Sequence, residues 1–278
     1  MKKNLQMLAL AAAGLALLSS SGCSKLQARD HLNKGVIAYK NAKYEEAIGH
    51  FQQSVELDPT LLNAKMYLAT AYAQQYIPGV EGADNQRMAE QAIEQYKAVL
   101  DAPNLARDQK VNSAKGIAYL YLNMKKFDDA KKFYRQASDV DPNDPEPFYS
   151  VGVIDWTACY QPRMEARNKL GLKPEDHLSA KNKDQKKACG ELKDKNGPYI
   201  SEGIEALGTA LKLRPDYDDA MAYMNLMYRE KADVECEDAD SRAADLKTAD
   251  HWVDETLRVK KEKAEKAPQQ QGITLDQK

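Results

Sequence analysis

The sequence predicts an all-α chain built from stacked helix pairs, and three observations carry that prediction. The first is recurrence. "KNAKYEEAIGHFQQSVELDP", from Lys40 to Pro59, sets Tyr44, Ala47, Ile48, Phe51 and Val55 on one stripe at helical spacing. "MKKFDDAKKFYRQASDVDP", from Met124 to Pro142, repeats the order of aromatic, two acids, Ala, aromatic, Ala and Val-Asp-Pro. "YISEGIEALGTALKLRP", from Tyr199 to Pro215, repeats it with Gly203 and Leu207 in two of those places, and "MAEQAIEQYKAVLDAP", from Met88 to Pro103, is a fourth copy with its stop displaced. The second observation is that stop: proline lacks the N–H and has the ring that forbid another helical turn. The third is composition. Only 14 Gly and 4 Phe occur among 278 residues, while Ala, Lys, Glu and Gln abound, which favours helix over sheet. One helix pair cannot bury its apolar stripe alone, so recurrence at this period marks an architecture in which neighbours complete the core.

The chain opens before the first repeat with "MKKNLQMLALAAAGLALLSSSGC". Lys2 and Lys3 precede an apolar run from Leu5 to Leu18 and then small residues, the pattern of a secretory signal over residues 1–22. The run is too short for a membrane span. Cys23, preceded by Ser21 and Gly22, resembles the cysteine of a bacterial lipobox, with Ser20 where that pattern prefers Leu. The resemblance implies lipid attachment at Cys23, a short linker over residues 23–27, and anchoring at the outer membrane facing the periplasm. The alternative is ordinary cleavage near Ser20–Gly22 and a soluble periplasmic protein.

The repeating units resemble the tetratricopeptide repeat, a helix pair of about 34 residues with small and bulky residues at fixed places. Ala28–Leu61 fits without a gap through Gly35, Tyr44, Ala47, Phe51 and Pro59. Val111–Asp144 fits through Ala118, Phe127, Ala130, Tyr134 and Pro142. Leu62–Ala73 and Met88–Leu100 form another pair around the loop "QQYIPGVEGADNQ". Pro145–Trp156, with Gly152 at the small place, meets its second helix only at Tyr199, which leaves residues 157–198 as an insertion in the fourth unit. A fifth unit starts at Asp218 with "DDAMAYMNLMYREKA" and, after the acidic loop "DVECEDADS", continues with "RAADLKTADHWVDETLRVKKEK". The resemblance implies a right-handed superhelical solenoid of about five helix pairs over residues 28–260, followed by a charged, polar tail over residues 261–278. Gly35, Ala69, Ala118 and Gly152 are expected where paired helices approach most closely.

Nothing in the sequence points to catalysis. The four histidines, His31, His50, His177 and His251, fall in different parts of the chain. No GxSxG, HExxH or phosphate-binding Gly-rich loop is present. The acidic loop begins like a calcium loop at Asp238 and Asp240 but has Ala243 where Gly is required and Ala249 where Glu closes the site. No enzyme activity, cofactor, metal or small-molecule substrate is therefore expected, and a net charge of −2 gives no general attraction to nucleic acid.

Function is expected on a surface. In the tetratricopeptide family the first helix of each pair lines an inner groove, and its inward places fall here on Tyr39, Met66, Tyr119, Leu122, Tyr149, Val153, Trp156 and Leu226. Some members grip a partner's C-terminal carboxylate with Lys and Asn at places that hold Leu32 and Val36 here, so that grip is not expected. Large aromatics with a polar rim suit an extended or helical peptide. Trp156 has a competing reading, packing against the insertion. The function so implied is a non-catalytic scaffold or adaptor of the bacterial envelope that binds peptide segments of partner proteins. The alternative is a structural spacer or a subunit of an assembly machine, for outer-membrane proteins or for pili and secretins, docking through the basic insertion.

Beyond Cys23 three cysteines remain. With no CxxC or HxxxH spacing, they point to a disulfide rather than a metal. Cys159–Cys189 is the expected bond, since it would close an insertion whose lysine-rich middle makes no core of its own. Cys236 competes as partner for either, because it too follows the first helix of a unit. "KNKDQKK" in the insertion and the acidic stretch Asp233–Asp240 are expected on one edge, either paired with each other or as two docking patches.

Overall fold

A computed structural model describes residues 22–173 and 176–266. The expected signal segment, apart from Gly22, and the expected tail beyond Lys266 lie outside the described residues. The fold class is the all-α helix-pair solenoid that the repeats predict. The described residues form ten helices: α1 (residues 22–40), α2 (Tyr44–Leu57), α3 (Leu62–Gln75), α4 (Ala83–Leu100), α5 (Arg107–Asn123), α6 (Phe127–Val140), α7 (Pro145–Lys169), α8 (Lys183–Leu213), α9 (Asp218–Asp233) and α10 (Ala239–Lys266). They divide into two compact units between Asp141 and Pro142.

The first unit pairs α1 with α2, α3 with α4 and α5 with α6. The second helix of a pair also packs on the first helix of the next, and α3 lies against α5. The sequence stripe explains the contacts. Ala28, Ala38, Ala47 and Phe51 are buried between α1 and α2, and the Ser54 hydroxyl donates to the Ala28 carbonyl at 2.7 Å. Gly35 is glycine because the Phe51 ring occupies the space of a side chain: a Cβ there would lie 2.5 Å from Phe51 Cε1. Ala69 and Ala118 are fully buried at the corresponding places. The turns repeat as well. Ala42 and Lys125, at matching points after α1 and α5, share a left-handed φ of 58°, the conformation that ends many helices. The loop after α3 is pinned by Asn85, whose side chain accepts from the Ile77 N–H and donates to the Ile77 and Val80 carbonyls, each at 2.8 Å. That anchor lets α4 begin at Ala83, earlier than the expected Met88.

Gly35→Ala is expected to destabilise the first unit by about 1–3 kcal/mol, because the Phe51 ring is locked between two helices and has little room to yield. Gly49→Ala is the control. It lies inside α2, and a Cβ added there would meet nothing within 4 Å, so the gain in helix propensity is expected to leave stability equal or slightly higher. Urea denaturation of the two variants checks the difference.

The second unit pairs α7 with α8 and α9 with α10, with α9 packed on both α7 and α8. Its close approaches follow the same rule: Gly152 faces Leu207, and Gly203 faces Met227, where a Cβ would meet side-chain atoms at 2.4 and 2.5 Å. The expected insertion takes the form of a longer helix pair. α7 runs on through Pro162 to Lys169, and α8 starts at Lys183 and passes through Pro198, so most of residues 157–198 continues the two helices as a hairpin. Asn182 starts α8 by accepting from the N–H groups of Asp184 and Gln185. Cys159, Leu178, Cys189 and Leu192 of the hairpin are buried in one core with Leu207, Met227 and Val259 of the rest of the unit. Two smaller boundaries move too. Residues 23–27, expected as a linker, are helical within α1, and residues 261–266, expected as tail, complete α10.

Candidate functional site

In the first unit the expected groove residues sit in unequal environments. Tyr39 is half-buried, its ring edge-on to Tyr44 with centroids 5.3 Å apart, and burial pushes its hydroxyl above the ordinary phenol range. Met66 and Leu122 are half-buried. The Met66 carbonyl accepts from the Thr70 hydroxyl at 2.9 Å, and that hydroxyl is 3.0 Å from the Tyr96 hydroxyl. Tyr119 is different: it is 53% exposed on α5, beside Asn123, whose amide donates to the Tyr119 carbonyl. Tyr67, stacked on Phe51 at 5.6 Å and 40% exposed, is an aromatic that the family's inward places pass over.

The second unit gathers its aromatics into a row. Tyr217 lies 4.9 Å from Tyr149, Tyr149 lies 5.7 Å from Tyr223, Tyr223 lies 5.6 Å from Trp156, and Trp156 lies 5.3 Å from Tyr160, all between ring centroids. Tyr149 and Trp156 were expected in a groove. Val153, between them on α7, and Leu226 on α9 are half-buried. Sequence reasoning missed Tyr160, Tyr217 and Tyr223. Tyr149, Trp156 and Tyr160 recur at helical spacing, so the α7 part is legible once that helix is extended past Trp156; the α9 part is not. Guanidiniums cover both ends, Arg214 at 4.4 Å over Tyr217 and Arg163 at 5.3 Å over Tyr160. Burial first, then neighbouring acids and phenols, raises the hydroxyl pKa values of Tyr149 and Tyr223. Tyr217 is also raised by burial, with Arg214 opposing.

Behind this row the hairpin is joined to α9 by charge. Arg163 Nε is 3.0 Å from Glu230 Oε1, and Arg163 and Arg167 reach the two Asp233 oxygens at 3.3 and 3.0 Å. Arg167 also donates from Nε to the Asp176 carbonyl at 2.7 Å. Arg167 and Glu230 are each only 2% exposed. Burial pushes the Glu230 carboxyl up to about 7, while the Arg163 guanidinium pulls the other way.

The disulfide links Cys189 to Cys236, not Cys159 to Cys189, with Cα atoms 6.4 Å apart. Helix register is the reason. Across the hairpin Cys159 is level with Asn196, whose side-chain amide donates to the Cys159 carbonyl at 3.1 Å. Cys189 lies seven residues before Asn196 on α8, about 10 Å along the axis, beyond the reach of a disulfide. Cys159 is fully buried and takes no part in that bond. The opposite charges flanking the bond pair with each other: Lys186 with Glu237, and Lys193 with Glu235 at 3.1 Å. Among the described residues no group of three or more His, Cys, Asp or Glu side chains converges as a metal site would require, and Cys23 is exposed near the start of α1.

Models of the tetratricopeptide repeat match residues 28–61 and residues 116–144. The chain carries tetratricopeptide repeats. Solved structures extend the likeness beyond the two matched repeats. A crystal structure of MamA protein is 12% identical, with 87% of this chain and 96% of that chain covered and a TM-score of 0.55. MamA from residue 41 to its end, from Desulfovibrio magneticus RS-1, is 14% identical over 85% and 96% of the two chains, with a TM-score of 0.53. At this identity the likeness is one of fold. No curated protein matches the chain by sequence. Tetratricopeptide repeats are a protein-interaction fold, and the repeat's first helices, α5 and α7, carry the exposed Tyr119 and Tyr160.

Proposed function

We propose that the protein is a non-catalytic interaction scaffold of a bacterial envelope, tethered through lipid on Cys23 at the outer membrane and binding peptide segments of partner proteins on the first helices of its repeats. The observation that carries this reading is Tyr119, a large ring left 53% exposed on a helix whose Ala114, Ile117, Ala118 and Leu120 are buried. Exposing an aromatic of that size forgoes burial that the fold uses everywhere else, and such rings serve as anchors at interfaces. The tether is supported by Gly22–Cys23 directly after the apolar run and its small residues. The competing reading, docking through a basic insertion, is weakened because Lys186 and Lys193 already face Glu237 and Glu235.

The test is site-specific photo-crosslinking from position 119 in cells, with partners identified by mass spectrometry. Tyr119→Ala is expected to weaken partner binding by about 2 kcal/mol, the scale of an aromatic anchor, with the circular dichroism unchanged. Tyr39→Ala is a poorer probe, since Tyr39 also packs on Tyr44 and the core. Partner recovery that is indifferent to Tyr119→Ala refutes the first-helix surface. Intact mass of the mature protein tests the tether: a chain beginning at Cys23 without acyl groups refutes it.

A further inference from the structure

The aromatic row of the second unit lies in a field of carboxylates. Asp219, in the first turn of α9, acts on the hydroxyls of Tyr149, Tyr217 and Tyr223, and Glu146 and Asp144 act on Tyr217 as well. The ammonium of Lys263, from α10, is held by Asp218 at 2.6 Å. The chain itself shows what these rings accept, since Arg214 and Arg163 already sit over the two outermost. A ring face is electrostatically negative, and indole is the strongest of the three aromatic types. Nearby carboxylates add to that potential and steer cations toward it.

Resting on the scaffold reading, we propose that the row formed by Tyr149, Trp156 and Tyr223, with Asp219 and Glu146 beside it, binds a peptide segment bearing arginine or lysine side chains. Its cationic groups lie against the ring faces as Arg214 and Arg163 do at the ends. The carboxylates select against acidic segments, for which the same surface is repulsive.

The sequence contains 2 Trp, and Trp252 lies on α10 outside the row. In a Trp252→Phe background Trp156 is therefore the only indole, and its emission reports on the row. The probes are a short peptide of alternating Arg and Ser and two matched peptides with Glu or Gln in place of Arg. The Arg peptide is expected to change Trp156 emission saturably, with affinity falling as salt rises past about 0.1 M. The Asp219→Asn, Glu146→Gln double variant, which changes exposed side chains only, is expected to bind the Arg peptide at least about fivefold more weakly, a loss on the scale of one cation–ring contact. Asp254→Asn, on the exposed side of α10, is expected to change nothing. Equal binding of the Gln or Glu peptide, indifference to the double variant, or no response to any peptide overturns the proposal. None of these outcomes bears on crosslinking from Tyr119, which lies in the other unit, so the scaffold reading is judged separately.

Discussion

Replacing Cys189 and Cys236 together by serine is expected to destabilise the second unit by up to about 4 kcal/mol, the loop-closure entropy for this chain separation. The bond spans 47 residues, from α8 to the connection between α9 and α10. It therefore ties the hairpin of the fourth pair to the fifth pair. The flanking ion pairs, Lys186 with Glu237 and Lys193 with Glu235, are solvent-exposed on at least one side and hold the same two segments weakly. Denaturation midpoints with and without dithiothreitol give the measurement. The reductant should shift the wild-type protein and leave the double serine variant unmoved. Non-reducing peptide mapping should recover Cys189 joined to Cys236, and Cys159 should alkylate only after unfolding. A peptide joining Cys159 to either partner contradicts the assignment.

Arg167→Met is expected to cost about 3–5 kcal/mol, the range for breaking a buried ion pair from one side. The substitution keeps much of the stem but removes one of the two guanidiniums on Asp233, leaving Arg163 on the other oxygen, and removes the donor to the Asp176 carbonyl. Asp176 lies in the segment that closes the hairpin, so the loss falls on both ends of that link. Arg258→Met provides the contrast. That guanidinium is paired with Glu255 and Glu262 on the open surface of α10, where water replaces lost contacts, and little change is expected. Equal denaturation midpoints for Arg167→Met and Arg258→Met would show that the buried network contributes nothing beyond a surface pair.

The same network gives the second unit a pH dependence. Burial raises the Glu230 carboxyl from 4.5 to about 7 in the folded chain. The native state therefore holds a proton that the unfolded chain has released between those values, and stability falls as pH rises through that window. The loss is complete above about pH 7. Glu230→Gln, which cannot titrate, is expected to flatten this slope when urea midpoints are compared at about pH 5 and pH 8. An unchanged slope would mean that Glu230 is ionised throughout, held so by Arg163.

The sequence by itself determined the helix pairs, because everything that specifies them is local. The stripe Tyr44, Ala47, Phe51, the proline stops and the small residues at Gly35, Ala69, Ala118 and Gly152 act within one repeat or against its immediate neighbour, and the structure places Gly35 against Phe51 and Gly152 against Leu207 accordingly. Boundaries failed where a local stop signal met tertiary packing. Pro162 and Pro198 did not end their helices, because Cys159, Leu178, Cys189 and Leu192 bury enough surface across the hairpin to hold both helices together. Only the tertiary structure decided the cysteine pairing, since it depends on the register of α7 against α8, which sets Cys159 level with Asn196 and leaves Cys189 to meet Cys236. It alone also assembled the aromatic row, because Tyr217 and Tyr223 reach Tyr149 and Trp156 only when α9 packs on α7. The raised Glu230 carboxyl belongs with these: spacing in a sequence records which residues share a helix face, whereas the cost of a buried charge is set by what other helices exclude from it.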